Sequence, residues 1–124
     1  MRRPAVKPAG RIHIHRTVSD MKRAIDFYVT VLGFYYREGT REMAWLDHGG
    51  MLLTISPGEP TLDLGSYFGW TVDTMEELDA LYDKLHRKHQ RLSGPPSLED
   101  GRTYFFIYDP DDYPVAFSFQ PRSE

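Results

Sequence analysis

Apolar and polar residues alternate over residues 11–18, after a lead of ten residues, and this period of two predicts a β-strand. Apolar residues then recur at helical spacing from Met21 to Leu32. Ser19 and Asp20 precede this stretch as favourable helix starts, and Gly33 follows it as a stop. Glycine-containing turns divide the next segment, which predicts three short strands at residues 34–38, 42–47 and 51–56.

The same order of patterns returns after a linker rich in proline and glycine at residues 57–65. Alternation over residues 67–72 predicts a strand, and Asp73 with Glu76 forms a capping-box pattern before a helical stretch that starts at Met75. Two further strands are predicted at residues 103–108 and 113–119, joined by a turn at residues 109–112.

The repeated plan predicts an α+β fold of two βαβββ modules, at about residues 11–56 and 66–120. A shift of about 54 residues lays Val18 on Val72 and Tyr28 on Tyr82. We expect one domain over residues 11–124, because a chain of 124 residues with 40% hydrophobic residues is sufficient for one core. Residues 1–10 are interpreted as a flexible lead.

Composition narrows the possible functions. The formal net charge of −3 gives no basic surface for nucleic acid. There is no cysteine, which excludes disulfides, thiolate metal sites and thiol catalysis. No apolar run approaches the roughly 20 residues that cross a bilayer, and no signal peptide is evident, so a cytoplasmic protein with no membrane partner is expected.

The strand faces opposite the predicted core are polar and aromatic, which suits the lining of a ligand site. Arg102 alternates in step with Tyr104 and Phe106 and so lies on the same face of the predicted strand. It could pair with an anionic group on a ligand or form a surface salt bridge. Six aromatic residues are candidates for this lining or its rim, the alternative being a place in the core: Trp45, Tyr67, Tyr104, Phe106, Tyr108 and Tyr113. The non-aromatic residues of the face are His13, His15, Thr54, Ser56, Ala116 and Ser118.

Two sets of residues resemble signatures of the glyoxalase, bleomycin-resistance and extradiol-dioxygenase superfamily, also called the vicinal oxygen chelate superfamily. The first set is His13, Val18, Ser19-Asp20, Ala24, Phe27-Tyr28 and Val31-Leu32-Gly33-Phe34. The second is Gly101-Arg102, Phe105, Ile107 and Asp109-Pro110-Asp111, with Asp112 where glycine is usual. The resemblance implies two modules whose curved mixed sheets enclose a cleft, and a homodimer.

The resemblance also implies four metal-ligand positions, which are usually His, Glu or Gln. They fall here on His13, Thr54, Tyr67 and Ala116, so only His13 keeps the expected type of side chain. His15 shares the face of His13, and two histidines can chelate an ion, but no carboxylate occupies a matched position. We therefore expect no metal or other cofactor, with a divalent metal as the less favoured alternative.

Three hypotheses follow for function. The first is metal-independent binding of a small aromatic or amphipathic molecule, possibly antibiotic-like, by sequestration. Its binding residues would be His13, His15, Trp45, Thr54, Tyr67, Arg102, Tyr104, Phe106 and Ala116. The second is a glyoxalase-like lyase or isomerase, or a metal-free relative with His13 or His15 as catalytic base. The third is an interaction module whose cleft is closed by aromatic packing. Spacing alone supports no serine–histidine–acid arrangement.

Overall fold

A computed structural model describes residues 11–62 and 66–121, and the predicted lead at residues 1–10 lies outside this described part. The chain divides into two compact units, the first ending at Thr61 and the second beginning at Leu62. None of the helices in the described ranges is long and apolar enough to span a membrane.

The first unit has the predicted strand–helix–three-strand order. Its sheet runs β1-β4-β3-β2, with β1 parallel to β4 and the other neighbours antiparallel. The elements are β1 (Ile12–Val18), α1 (Met21–Asp26), a π-helical turn (Phe27–Val31), β2 (Tyr35–Gly39), β3 (Ala44–His48) and β4 (Met51–Pro57).

The helix of the first unit begins as predicted and ends differently. The Asp20 carboxylate caps it by accepting from the backbone N–H of Arg23 at 3.1 Å. The helical segment continues to Val31, close to the predicted end, but residues 27–31 form a π turn in place of a further α-helical turn, and the Leu32 N–H donates to the Phe27 carbonyl. The Thr30 hydroxyl donates to the Asp26 carbonyl, the acceptor that an α-helix reserves for the Thr30 N–H.

The second unit repeats this plan with the sheet order β5-β8-β7-β6 and β5 parallel to β8. The α+β class and the two βαβββ modules are thereby confirmed, each module with its own four-stranded mixed sheet. The elements are β5 (Phe68–Thr71), α2 (Met75–Arg87), β6 (Ser97–Glu99), β7 (Arg102–Tyr108) and β8 (Pro114–Phe119).

Two local features of the second unit differ from the sequence prediction. The N-cap of α2 is Thr74 rather than Asp73, since the Thr74 hydroxyl accepts from the Glu77 N–H at 3.1 Å. Strand β6 was not predicted as a separate element, because its three residues are all exposed and show no apolar alternation.

In each unit the apolar face of the sheet forms a core with the helical segment. Side chains with at most 1% exposure in the first unit are Val18, Ala24, Tyr28, Ala44, Leu46, Leu53 and Ile55. Those in the second unit are Leu78, Leu85, Phe105, Ile107 and Val115, joined by the carboxylate of Asp109. The opposite faces of the two sheets are therefore left for other roles.

Candidate functional site

The first unit brings three predicted site residues together at the junction of β1 and β4. The register sets His15 directly opposite Thr54, and His13 lies two residues earlier on the same face. His15 Nδ1 lies 2.7 Å from Thr54 Oγ1, and His13 Nε2 lies 3.2 Å from the same oxygen. Both imidazoles are exposed, whereas Thr54 beneath them is only 3% exposed.

Ser56 extends this arrangement to a fourth side chain. Its Oγ lies 3.0 Å from His15 Nε2, so both ring nitrogens of His15 have a hydroxyl partner. We call the set His13, Thr54, His15 and Ser56 the hydroxyl–imidazole row. Ser56 was placed on this face by its parity, but its contact with His15 could not be read from the sequence, because it depends on the β1–β4 register.

Trp45 and Asp47 lie on the same face of the neighbouring strand β3. Trp45 is half-buried and stands opposite Thr54, and Asp47 follows two residues later. The Asp47 carboxylate is bound by Arg37 at 2.7 Å and by Arg11 at 3.6 Å. Its hydrogen bond and negative charge raise the pKa of Arg37 above its ordinary value. This carboxylate is therefore already paired with cations.

The second unit contains a hollow of about 430 Å³ on the face of its sheet opposite the core. It gathers five of the predicted ligand-binding residues, namely Tyr67, Arg102, Tyr104, Phe106 and Ala116. The rest of the lining consists of Phe68, Gly69, Trp70, Thr71, Glu99, Asp100 and Ser118. The predicted set is thus divided between the two units, with His13, His15, Trp45 and Thr54 in the first.

Aromatic rings form one wall of this hollow. The Phe106 ring lies between Tyr67 and Tyr104, with centroid separations of 5.0 and 5.5 Å and interplanar angles of 86° and 79°. Such edge-to-face contacts are favourable for aromatic pairs. The Tyr104 hydroxyl donates to a Glu99 carboxylate oxygen at 2.5 Å, and this hydrogen bond, together with desolvation, raises the pKa of Tyr104 above its ordinary value.

Gly69 and Ala116 contribute the smallest side chains of the lining. They are register partners on β5 and β8, as His15 and Thr54 are on β1 and β4. A Cβ atom on Gly69 would lie 1.9 Å from the Ala116 carbonyl oxygen, so only glycine fits this approach of the two strands. The hollow therefore occupies positions that carry an imidazole and a hydroxyl in the first unit. The sequence analysis did not name Gly69 as a site residue, although it alternates in step with Tyr67 and so lies on the same face of its strand.

Two aromatic candidates have other roles. Tyr113 is only 4% exposed and belongs to the core, which is the alternative that the sequence left open for it. Tyr113 alternates in step with the buried residues Val115 and Phe117, and its backbone N–H donates to the buried Asp109 carboxylate at 2.9 Å. The Tyr108 ring lies under the guanidinium of Arg91, with 5.9 Å between the guanidinium carbon and the ring centroid.

The donor set does not fit a divalent metal. Of the four positions implied by the resemblance, Thr54 offers a neutral hydroxyl, Tyr67 a phenol and Ala116 no donor atom. His13 Nε2 already has the Thr54 hydroxyl as a partner. Within residues 11–62 and 66–121, no three histidine, aspartate or glutamate side chains are grouped as a metal site would require.

The strand order and the two polar faces match a known family. The profile of the Glyoxalase/Bleomycin resistance protein/Dioxygenase superfamily matches residues 10–117. The chain belongs to this superfamily. Members of the superfamily often use a divalent metal, which this donor set does not suit. No curated protein matches the sequence.

Solved structures of superfamily proteins share the fold. A glyoxalase/bleomycin resistance protein/dioxygenase from Alicyclobacillus acidocaldarius is 22% identical with a TM-score of 0.78, over 94% of this chain and 95% of that one. Lactoylglutathione lyase from Agrobacterium tumefaciens is 14% identical with a TM-score of 0.75, over 90% and 94%. The fosfomycin resistance protein FosX from Mesorhizobium loti is 16% identical with a TM-score of 0.73, over 93% and 95%. At these identities the likeness concerns the fold.

Proposed function

We propose that the protein binds a small aromatic or amphipathic molecule in the hollow of its second unit, without a metal. The observation that supports this most directly is the hollow itself. Its 430 Å³ falls in the range of about 300–1,000 Å³ that is usual for small-molecule sites. The residues around it combine aromatic rings with a few charged groups, which is the usual make-up of such sites.

The lining favours a ligand with a flat apolar body. Tyr67, Tyr104 and Phe106 offer aromatic surface, and Gly69 and Ala116 leave the space beside the strands open. Arg102, Glu99 and Asp100 supply charges at the hollow, so a ligand that carries a polar group as well has partners there. Burial of an aromatic ring contributes about 25 cal/mol for each square ångström removed from water.

The mode of action that we propose is sequestration. A protein that only binds its ligand protects a cell when it is in excess of the ligand and the Kd is low, because there is no turnover. We propose that it acts in the cytoplasm as a homodimer, since members of the superfamily are typically dimeric. Light scattering of the purified chain gives its mass in solution and tests the dimer.

The binding proposal is tested by a thermal-shift screen of aromatic compounds, followed by calorimetry on two matched variants. Ala116→Leu puts a larger side chain into the hollow, and we expect the affinity for a screening hit to fall about tenfold or more. Ala116→Ser adds one oxygen only and should keep the affinity within about threefold. Equal affinities of the wild type and Ala116→Leu would place the ligand elsewhere, and treatment with a chelator should leave binding unchanged.

A further inference from the structure

Ser56, His15 and Thr54 have the spatial relation by which enzymes activate a hydroxyl as a nucleophile. In such sites the nucleophile and its base lie about 2.6–3.2 Å apart, and a third group orients the base. Here Ser56 Oγ lies 3.0 Å from His15 Nε2, and His15 Nδ1 lies 2.7 Å from Thr54 Oγ1. The proposed binding function, which uses the hollow of the second unit, gives these three side chains no role.

We propose that Ser56 is a nucleophile and His15 its general base in the hydrolysis of aryl esters. Thr54 is a positioning residue, since it holds the imidazole and does not touch the reacting atoms. The site is built by the β1–β4 register, which puts His15 opposite Thr54, with Ser56 two residues further along the same face.

The hydrogen bonds of the hydroxyl–imidazole row are consistent with a His15 tautomer whose Nε2 is free to accept the Ser56 proton. If His15 Nε2 accepts from Ser56, then Nδ1 carries the ring proton and donates it to Thr54 Oγ1. The Thr54 hydroxyl then donates its single proton to His13 Nε2, which lies 3.2 Å from Thr54 Oγ1. The hydroxyl hydrogens of Ser56 and Thr54 and the ring hydrogen of His15 each have an acceptor within the row, and the lone pair of His15 Nε2 points at the hydroxyl that it must deprotonate.

The proposed hydrolysis needs only the ester and water as reactants. Ser56 Oγ attacks the ester carbonyl carbon while its proton moves to His15 Nε2. The bond to the leaving phenol oxygen breaks, and that oxygen takes the proton from Nε2. Water then attacks the acyl-Ser56 carbonyl and gives one proton to Nε2. The bond to Ser56 Oγ breaks, this oxygen recovers the proton, and the products are a carboxylic acid and a phenol.

The surroundings of the row determine the substrate class. Thr54 is neutral, and the nearby Asp47 carboxylate is bound by Arg37, so neither supplies the buried negative charge that stabilises an imidazolium in the fastest serine enzymes. The leaving group must therefore be a good one, such as a phenolate. Trp45 stands beside Thr54 on the same face and offers aromatic surface to an aryl group.

A substrate can reach the reacting atoms. The imidazole of His15 is exposed and Ser56 is half-buried, whereas the positioning hydroxyl of Thr54 is buried beneath the rings. This distribution matches the division of roles, because the two catalytic residues touch solvent and the group that orients the base is shielded from it.

The test uses the full chain and p-nitrophenyl acetate, with release of nitrophenolate followed by absorbance and the acetylated residue identified by peptide mass spectrometry. We expect an acetyl group on Ser56, and a fall in rate of about tenfold or more in Ser56→Ala and in His15→Gln. Thr54→Val should lower kcat, and Thr54→Ser should restore it. Ser66→Ala and His89→Asn, which change an exposed serine and an exposed imidazole outside the row, should keep the wild-type rate.

Two outcomes would overturn the proposal. One is a wild-type rate in folded Ser56→Ala with acetyl groups on histidine or lysine, which is the chemistry of any surface imidazole or amine. The other is a wild-type rate no greater than that of buffer. Circular dichroism checks the fold of each variant, and if Ser56→Ala does not fold, a fluorophosphonate probe on the wild type replaces it, because selective labelling of Ser56 requires an activated hydroxyl.

Discussion

At the scale of single residues, the carboxylate of Asp109 organises the turn between β7 and β8. It is 1% exposed, and its Oδ1 accepts from the backbone N–H groups of Asp111 and Tyr113, each at 2.9 Å. We expect Asp109→Ala to lower the free energy of unfolding by about 2–3 kcal/mol, because the buried N–H of Tyr113 and the part-buried N–H of Asp111 both lose their acceptor. Asp109→Asn keeps one oxygen and should cost about half as much. Urea denaturation measures both, and equal losses in the two variants would contradict this role.

Tyr104 gives a residue-scale prediction about pH. Its pKa is raised mainly by the hydrogen bond to Glu99, so the folded chain holds the phenol proton more tightly than the unfolded chain, whose value is near 10. The resulting stability is fully present below pH 10 and is lost as the pH rises through the pKa of the folded state. Glu99→Gln should lower the pKa of Tyr104, measured by NMR on labelled tyrosine. The same value in both proteins would mean that the carboxylate has no such effect.

At the scale of elements, Gly69 sets the distance between β5 and β8. A Cβ atom there would meet the carbonyl oxygen and carbon of Ala116 at 1.9 and 2.7 Å, and both are backbone atoms that cannot rotate away. Gly69→Ala should therefore destabilise the chain by about 1–3 kcal/mol. Gly101→Ala is the control: nothing lies within 4 Å of its Cβ, and only its φ of +75° opposes the substitution, at about 1 kcal/mol. A smaller loss for Gly69→Ala than for the control would show that β5 can shift.

The helix α2 depends on its first turn. The Thr74 hydroxyl accepts from the Glu77 N–H, so Thr74→Ala should cost about 1 kcal/mol and Thr74→Ser should cost little. Thermal melting of the two variants distinguishes them. An unchanged melting temperature in Thr74→Ala, together with a lower one in Asp73→Ala, would show that Asp73 is the N-cap, as the sequence pattern predicted.

These elements show what the sequence could and could not predict. Period-two alternation found most strands, and the helical spacing from Met75 found α2, because burial on one side enforces both patterns. The π turn at residues 27–31 and strand β6 were missed, since the first differs from an α-helix in hydrogen-bond partners that apolar spacing does not reveal, and the second is exposed on every residue. Parity indicated the face of Ser56 and Gly69, but their partners depend on pairings between distant strands, which no local pattern records.

At the scale of the whole molecule, the donor chemistry predicts a protein that purifies without bound metal. Elemental mass spectrometry of the untagged chain, expressed with nickel, zinc, manganese and iron available, should find less than one tenth of an equivalent, roughly the level of weak surface binding. Added metals should leave the melting temperature unchanged. Stoichiometric metal that is lost in His13→Ala would contradict this expectation and favour the lyase hypothesis.

The small side chain of Ala116 also makes the second unit a convenient place for a chemical label. The chain contains no cysteine, so Ala116→Cys would introduce a single thiol, and Ala116 lines the hollow. An environment-sensitive dye attached there would itself occupy the hollow, as the larger side chain of Ala116→Leu does, and a ligand that displaces the dye would change its emission. The position whose small side chain leaves space for a ligand thus also offers a unique attachment point for an optical sensor.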